Sequence, residues 1–336
     1  MASSSSPPAV SELTYTPLPP SSPPQPPTGS ANISRREYIY ILPHPLPAHA
    51  PVPYTPGLPS TNPLNLPPTP FEPTSSLVLT SPRASFVDLR YLKPLHAAET
   101  PLPNAGETAR LDWGFAGAAS SVLAPSPHPV FGAYARANWE HWVDSRVPIG
   151  QSVAGDEGDV YRLGGGFWLE HGSKFHPLLD RVATYEELWR DVEVRSTSTS
   201  PSSSTSTSSA GRDAQTEDKV CMLLRCDDEA ARVRGVVIRV GRFCQGIVMQ
   251  GDACTTERWE FESSEDGETS EDGETADTAA QSAKHSTRQN GWKRTARTGD
   301  AFLPCAVTFR TQTVRLGGRL AYGDLEWVVE EMWVWH

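Results

Sequence analysis

Short runs in which apolar and polar residues alternate recur along much of the chain. Residues 233–240 alternate apolar Val236, Ile238 and Val240 with Arg239, and residues 86–91 alternate in the same way. A period of two is typical of a half-buried strand. Similar runs occur at residues 76–80, 110–115, 134–143, 220–225, 246–249, 256–261, 306–310 and 325–335. Many short strands predict an all-β protein made of antiparallel barrels or sandwiches.

Glycine and aspartate separate these runs. The pairs Gly251-Asp252 and Gly323-Asp324 and the triple glycine at 164–166 predict tight hairpin turns between neighbouring strands. The triple glycine is not followed by Lys and Ser or Thr, so it does not match a phosphate-binding loop. The turns therefore support an antiparallel arrangement.

One segment fits two structures. Residues 184–193 begin with Thr184 and carry Glu187 three positions later, which matches a helix capping box. Tyr185, Leu188, Trp189 and Val192 would then share one helical face. The same residues also alternate acceptably as a strand, so the pattern alone leaves both structures open.

Low-complexity segments divide the chain. Residues 1–32 form a Pro- and Ser-rich tail, residues 43–70 a Pro-rich insertion and residues 195–218 a Ser- and Thr-rich linker. These compositions favour extended or flexible chain and cannot bury a core. We therefore predict two β-barrel domains, residues 33–194 and 219–336, which together contain about 220 residues able to fold.

The net charge of -11 comes mainly from one segment. Residues 262–277 hold eight acidic residues, contain the hexapeptide SEDGET twice, and leave a net charge of -3 when they are removed. We predict a disordered insertion at 262–290 that is acidic first and then basic. Thr269 and Thr275 each follow an aspartate by three positions, so they are candidate phosphorylation sites, with plain disorder as the alternative. The charge argues against nucleic acid, or an anionic membrane, as a partner recognised by bulk charge.

The sequence contains no motif that predicts a cofactor site, a metal centre or catalytic residues. The five cysteines lack C-x-x-C spacing and are predicted to be buried apolar residues in a reducing compartment. The patterns G-x-S-x-G and H-E-x-x-H do not occur. The carboxylates of Asp156, Glu157 and Asp159 lie in a Gly-flanked stretch, which predicts a solvated turn more than acid–base catalysis. We expect no enzyme activity.

The beginning of the chain shows no targeting signal. It has no basic region followed by an apolar core, as a signal peptide would. No run of about 18 apolar residues occurs that could form a membrane helix. We therefore expect a soluble protein of the cell interior.

All ten tryptophans lie at or after position 113. In a closed barrel, inward-facing aromatic side chains either fill the core or line a cavity for an apolar ligand, and the sequence pattern is the same in both cases. Packing is the simpler interpretation. The candidates for lining a pocket are Trp113, Trp139, Trp142, Trp259 and Trp327.

Taken together, the strand segments resemble a known family, the fungal Hrr-interacting proteins. The matching segments are EPTSSLVLTS (72–81), FVDLR (86–90), LDWGFAG (111–117), HWVDSR (141–146), DEGDVY (156–161), YEELWRDVE (185–193), RGVVIRVGRFCQG (234–246) and ERWEFE (257–262). They occur in this order and span most of residues 71–262. The Pro-rich insertion, the Ser/Thr linker and the SEDGET repeats depart from the family pattern.

The resemblance implies two antiparallel lipocalin-like β-barrels, a homodimer, and a strand rather than a helix at residues 185–192. Family members are partners of a yeast casein kinase I, are associated with cytoplasm and nucleus, and have no established catalytic activity. We therefore predict a non-enzymatic interaction protein that associates with a casein kinase I-type protein kinase or a trafficking partner. The alternative is an intracellular lipocalin-like carrier of a small apolar ligand.

Overall fold

The structure is a computed structural model that describes residues 14–16, 29–45, 72–129, 131–176, 179–197, 218–263 and 290–336. Most of the predicted tail, Pro-rich insertion, linker and acidic insertion lies outside these ranges, and so do Thr269 and Thr275. The described residues fold mainly into strands, which confirms the all-β prediction. No helix in these ranges is long and apolar enough to cross a membrane.

The described residues form sixteen strands, which are divided between one closed barrel and a second sheet. The strands are β1 (Thr14–Thr16), β2 (Asn32–Leu42), β3 (Thr74–Thr80), β4 (Ser85–Leu92), β5 (Leu111–Leu123), β6 (Tyr134–Asp144), β7 (Asp156–Gly164), β8 (Phe167–His176), β9 (Arg181–Asp191), β10 (Lys219–Asp228), β11 (Val233–Val240), β12 (Phe243–Gln250), β13 (Ala253–Glu262), β14 (Gly291–Thr298), β15 (Arg319–Tyr322) and β16 (Leu325–Trp335). Strands β2 to β9 pair antiparallel in chain order, and β9 closes the barrel on β2.

The remaining strands form a second sheet in the order β1-β15-β16-β10-β11-β12-β13-β14. Its outer strands β1 and β14 are not paired with each other within the described ranges, so a second closed barrel is not confirmed. A 3₁₀ helix, Pro304–Phe309, lies against β11 and β12. It buries Cys305 and Val307 against Trp327, so a short helix covers this face of the sheet.

The strand predicted at residues 306–310 is wrong, because most of it belongs to this 3₁₀ helix. Pro304 begins the helix, where its missing N–H group costs nothing. The Thr308 hydroxyl donates a 2.7 Å hydrogen bond to the carbonyl oxygen of Cys305. A local bond of this kind competes with strand pairing.

The ambiguous segment at 184–193 is a strand, as the resemblance implies, and the helix alternative is wrong. It forms most of β9, which pairs with both β2 and β8. Tyr185, Glu187 and Trp189 contact other residues of the barrel interior. Side chains at every second position therefore share an environment, as a strand requires.

The solvated turn predicted around Asp156, Glu157 and Asp159 is also wrong, because these residues lie in β7. Gly158 in the middle of β7 faces Gly172 of β8. Glycine inside a strand often marks close packing rather than a turn. The hairpin turn predicted at 164–166 is confirmed between β7 and β8, where all three glycines have positive φ.

The barrel packs directly on the second sheet. One apolar cluster joins Leu79 and Leu89 of the barrel to Ile238 and Ile247 of the sheet. The Tyr91 hydroxyl also crosses this boundary and donates to Thr256 Oγ1 at 2.9 Å. The outer face of β3 and β4 is therefore buried against the sheet, and the inner face of the barrel is left to form a separate site.

Candidate functional site: the barrel cavity

The inside of the barrel is hollow. Its inward side chains enclose a cavity of about 290 Å³, and a barrel of eight strands is large enough to hold one small ligand. The lining residues are Asn32, Ser34, Val78, Thr80, Phe86, Asp88, Arg90, Phe115, Trp139, Asp156, Val160, Trp168, Glu170, Trp189 and Asp191. Ser34, Thr80 and Trp168 are half-buried. Solvent therefore reaches the cavity on their side.

Aromatic rings form much of the cavity wall. Phe86 and Phe115 meet edge to face with their ring centroids 5.8 Å apart, and Trp139 packs against the same cluster. Trp168 on β8 and Trp189 on β9 come from the other half of the barrel. Such rings offer broad apolar faces to a ligand and carry a negative electrostatic potential over each face.

Arg90 links the aromatic wall to a network of buried charges. Its guanidinium carbon lies 5.2 Å from the ring centroid of Trp113 and 5.7 Å from that of Trp189. Arg90 Nη2 is 2.8 Å from Asp88 Oδ2, and Nη1 is 3.2 Å from Glu187 Oε1. The guanidinium is thus held by two carboxylates and by the rings around it.

Two arginines hold Glu187. Arg36 Nη1 donates to Glu187 Oε1 at 2.7 Å, while Arg36 Nε donates to Glu72 Oε2 at 2.6 Å. Burial raises the pKa of Glu187, but the charges of Arg36 and then Arg90 outweigh burial and lower it to about 2. Asp88 shows the opposite balance: burial outweighs the attraction of Arg90, and its pKa is raised.

Glu170 is a cavity-lining carboxyl that is satisfied by neutral donors. It accepts hydrogen bonds from the Tyr185 hydroxyl at 2.9 Å and from Trp189 Nε1 at 3.1 Å. Burial, reinforced by the charge of Glu187, raises the pKa of Glu170 to about 8. At neutral pH this carboxyl is therefore mostly protonated.

The mouth of the cavity carries another carboxylate, Asp191 at the end of β9. Trp168 Nε1 donates to its Oδ2 at 2.7 Å, and Asn32 Nδ2 donates to its Oδ1 at 3.1 Å. The Ser34 hydroxyl is 3.2 Å from the same Oδ1. These donors fix both the carboxylate and the indole ring of Trp168 in place.

His141 lies behind the aromatic wall. Its Nδ1 is 2.9 Å from Asp144 Oδ2, and its Nε2 is 3.8 Å from Asp156 Oδ2. The imidazole stacks on Phe115 with the centroids 4.2 Å apart, and its side chain is 1% exposed. Asp144 also accepts from Trp113 Nε1 at 2.9 Å. This histidine and carboxylate are packed together but do not line the cavity, which fits a structural role.

The tryptophans singled out from the sequence lie in different places. Trp139 lines the cavity. Trp113 lies in the same aromatic cluster of the barrel. Trp142 packs against the apolar cluster shared by barrel and sheet. Trp259 and Trp327 belong to the core of the second sheet. The structure therefore brings Trp113 and Trp139 together and separates the other three.

The charged lining is the part of the site that the sequence reasoning missed. Asp88 and Arg90 alternate with Val87 and Leu89 in β4, and all four residues are buried. A strand with one apolar and one charged face is ordinarily assigned a solvated side. Here the apolar face meets the second sheet and the charged face meets the cavity. The alternation itself was the available signal.

Metal donors and cysteines do not add to the site. Within the described ranges, no group of three or more His, Cys, Asp or Glu residues is arranged to hold a metal ion. The five cysteines are free; Cys221, Cys226, Cys244 and Cys305 are buried, as expected, whereas Cys254 is half-buried. Burial raises the pKa of the Cys226 thiol to about 11. That thiol is therefore protonated at neutral pH.

Fold and site together define an all-β protein in which a hollow antiparallel barrel, of a size for one small ligand, is backed by a second sheet. The chain belongs to the family described as Protein HRI1, whose sequence model matches residues 59–331. The resemblance found in the sequence is thus confirmed at the level of the family.

A solved structure shares this fold. The chain is similar to the crystal structure of an uncharacterized protein, YLR301w, from Saccharomyces cerevisiae, with a TM-score of 0.53 and 15% sequence identity. The similarity covers 90% of this chain and 99% of that chain. At this identity the comparison establishes the fold alone. A search of curated proteins finds no match.

Proposed function

We propose that this chain is a non-enzymatic binding protein whose barrel holds a small molecule. The observation that carries the proposal is the cavity of about 290 Å³, lined by aromatic rings and a few fixed polar groups. Ligand sites have this composition: apolar walls supply burial, and a small number of positioned polar groups orient the ligand. The strand number and up-and-down order match those of lipocalin-type carriers.

The lining also narrows the expected ligand. A purely apolar ligand would remove the half-buried carboxylates of Asp156 and Asp191 from water without replacing their lost hydration, which costs free energy. A ligand with an apolar body and one polar or charged group satisfies both parts of the wall. We therefore replace the apolar ligand expected from the sequence with an amphipathic one.

Native mass spectrometry of the full chain purified from its own organism tests the proposal. We expect a species heavier than the bare chain. Val160→Phe, which fills the cavity, should lose the extra mass, whereas Val182→Phe on the exposed part of β9 should keep it. Bare chain mass in the unmodified protein, with no ligand displaced on denaturation, would contradict the proposal.

Association with a casein kinase I-type kinase and formation of a homodimer, in cytoplasm and nucleus, are further proposals that rest on the resemblance. The acidic context of Thr269 and Thr275 supports the kinase association. Affinity purification of the full chain from its own organism should recover the kinase in stoichiometric amount, and a Thr269→Ala, Thr275→Ala double variant should show reduced phosphorylation of this segment. Recovery of the chain without a kinase would contradict the association.

A further inference from the structure

The cavity has an excess of negative groups over positive ones. Its lining contains four carboxyl groups, Asp88, Asp156, Glu170 and Asp191, and one guanidinium, Arg90. The ammonium of Lys174 lies 3.4 Å from Asp156 Oδ2 and adds a second cation beside the lining. Even with Glu170 protonated, as its raised pKa requires, three acidic groups face two cations. An anionic ligand would therefore meet repulsion in a partly buried site, where charges are poorly screened.

The positive group in the lining is already engaged. The Arg90 guanidinium donates to Asp88 Oδ2 from both Nε, at 3.0 Å, and Nη2, at 2.8 Å. Its Nη1 donates to Glu187 Oε1 at 3.2 Å. A ligand carboxylate or phosphate would have to compete with these buried partners for the same donors.

One carboxylate oxygen in the lining has no hydrogen-bond partner. Asp88 is 3% exposed, and its Oδ1 has no donor within the described residues. An unpaired buried acceptor of this kind destabilises the protein unless something donates to it. Oδ1 itself is closed off from solvent, but Asp88 borders the cavity, so a donor bound there pairs with this oxygen when the carboxyl group rotates towards the cavity.

The rings of the interior are arranged in a way that suits a cation. The ammonium group of Lys174 lies 4.4 Å from the ring centroid of Trp113 and 4.9 Å from that of Tyr185. It also lies 3.4 Å from Asp156 Oδ2. The barrel thus already holds one ammonium between aromatic faces and a carboxylate, which is a favourable setting for organic cations.

From these observations we propose that the barrel cavity binds a small organic cation, a primary ammonium group on an apolar or aromatic body, with Asp88 as its counter-charge. The ammonium donates to Asp88 Oδ1, and the body lies against Phe86, Trp139 and Trp168. This inference rests on the proposed function, because it requires that the barrel hold a small molecule.

The test uses three probes of similar size on the full chain: 2-phenylethylamine, 2-phenylethanol and 3-phenylpropanoate. Binding is followed by tryptophan fluorescence and by isothermal titration calorimetry. We expect the amine to bind at least about tenfold more tightly than the alcohol, because it adds a charge-assisted hydrogen bond and a cation–π contact. We expect the carboxylate to bind most weakly.

Two variants locate the bound amine. Asp88→Asn and Asp156→Asn should each reduce the preference for the amine over the alcohol severalfold. The control is Asp159→Asn, which should leave this preference unchanged. Asp159 lies on β7 like Asp156, but it pairs with Arg136 and does not line the cavity. Asp88 pairs with Arg90, so the first variant is used only if its thermal melt shows a folded protein. Asp156→Asn and the probe series on the unmodified chain test the proposal without it.

The outcomes separate this inference from the proposed function. Equal binding of alcohol and amine, or tighter binding of the carboxylate, overturns the cationic ligand while the small-molecule proposal stands. A preference for the amine that survives Asp156→Asn and a folded Asp88→Asn also overturns it, because the amine would then lie elsewhere. Failure of all three probes overturns the cationic class. The proposed function fails if native mass spectrometry also finds only the bare chain.

Discussion

Arg258 Nη2 on β13 of the second sheet donates a 2.7 Å hydrogen bond to the main-chain carbonyl oxygen of Leu89 on β4 of the barrel. The same guanidinium donates to the Ser75 hydroxyl and carbonyl oxygens and to Gln245 Oε1. Gln245 in turn donates to the carbonyl oxygen of Leu77 at 2.9 Å. A buried cation thus ties the sheet to the backbone of the strands that form the cavity wall.

Removing this cation should loosen the barrel from the sheet. Arg258→Met keeps most of the side-chain volume but leaves several buried acceptors unpaired, so we expect the free energy of unfolding to fall by about 2–4 kcal/mol. Urea unfolding followed by circular dichroism measures the change. Arg310→Met, at an exposed position, is the control and should change stability by no more than about 0.5 kcal/mol. Equal effects of the two variants would contradict the role of Arg258.

The charged network of the barrel should make stability depend on pH at the acid end. The pKa of Glu187 lies at about 2 in the folded protein, below its ordinary value of 4.5. The stability that the ionised Glu187 contributes to the folded protein is therefore present above pH 4.5 and is lost as the pH falls from 4.5 towards 2. Glu187→Gln leaves Arg36 and Arg90 undercompensated and should cost about 3–5 kcal/mol at pH 7.

Urea unfolding of the unmodified chain and Glu187→Gln at pH 7, 5 and 3 checks this prediction. The difference between the two proteins should shrink as the pH falls, because the wild-type carboxyl becomes protonated. Glu326→Gln, at an exposed position of β16, serves as the control for removal of a carboxylate. A difference that is the same at all three pH values would contradict the assignment.

The sequence predicted the strands well where alternation and turns agreed. The predicted strands at 233–240 and 325–335 coincide with β11 and β16, because β-forming apolar residues fill each run and a Gly-containing turn, at Gly241 or at Gly323-Asp324, bounds it on one side. Closure of the second sheet could not be predicted, since it depends on whether the outer strands meet and not on how many strands there are. The 3₁₀ helix at Pro304–Phe309 escaped prediction because its apolar residues resemble a short strand.

The candidate site was harder to predict than the fold. Trp139 was identified from the tryptophan content, but a charged residue inside a barrel is stable only with partners from distant parts of the chain. Arg36 and Glu187, which share a 2.7 Å hydrogen bond, are 151 positions apart. Without the pairing of β2 with β9, neither residue shows that it faces inward. The site depends on tertiary contacts that local patterns do not contain.

Glu170 should make the stability of the folded protein fall as the pH rises, which is the opposite of the effect of Glu187. Its pKa is raised from 4.5 to about 8 in the folded protein. The folded state therefore holds this proton more tightly than the unfolded chain, and the associated stability is lost as the pH rises from 4.5 through 8. Glu170→Gln removes the titration, so stability relative to the wild type should rise by about 1 kcal/mol or more between pH 5 and pH 9.

Thermal and urea unfolding at pH 5, 7 and 9 measure this shift. Glutamine still accepts a hydrogen bond from the Tyr185 hydroxyl or from Trp189 Nε1, so the variant should remain folded. Glu157→Gln, exposed on the neighbouring strand β7, should reproduce the wild-type profile. A constant offset between Glu170→Gln and the wild type across this range would contradict a raised pKa.

The close approach of β7, β8 and β9 at Gly172 should tolerate no larger residue. A Cβ atom at Gly172 would lie 2.5 Å from the Tyr185 hydroxyl oxygen and 2.7 Å from the carbonyl oxygen of Glu157. Gly172→Ala therefore displaces the Tyr185 ring and weakens its bond to Glu170, and we expect a loss of about 1–3 kcal/mol. Gly291→Ala is the matched control, because no atom lies within 4 Å of the added Cβ. It should be neutral or slightly stabilising. Urea unfolding of both variants decides the matter, and a Gly172→Ala protein as stable as Gly291→Ala would show that the strands can separate to admit the methyl group.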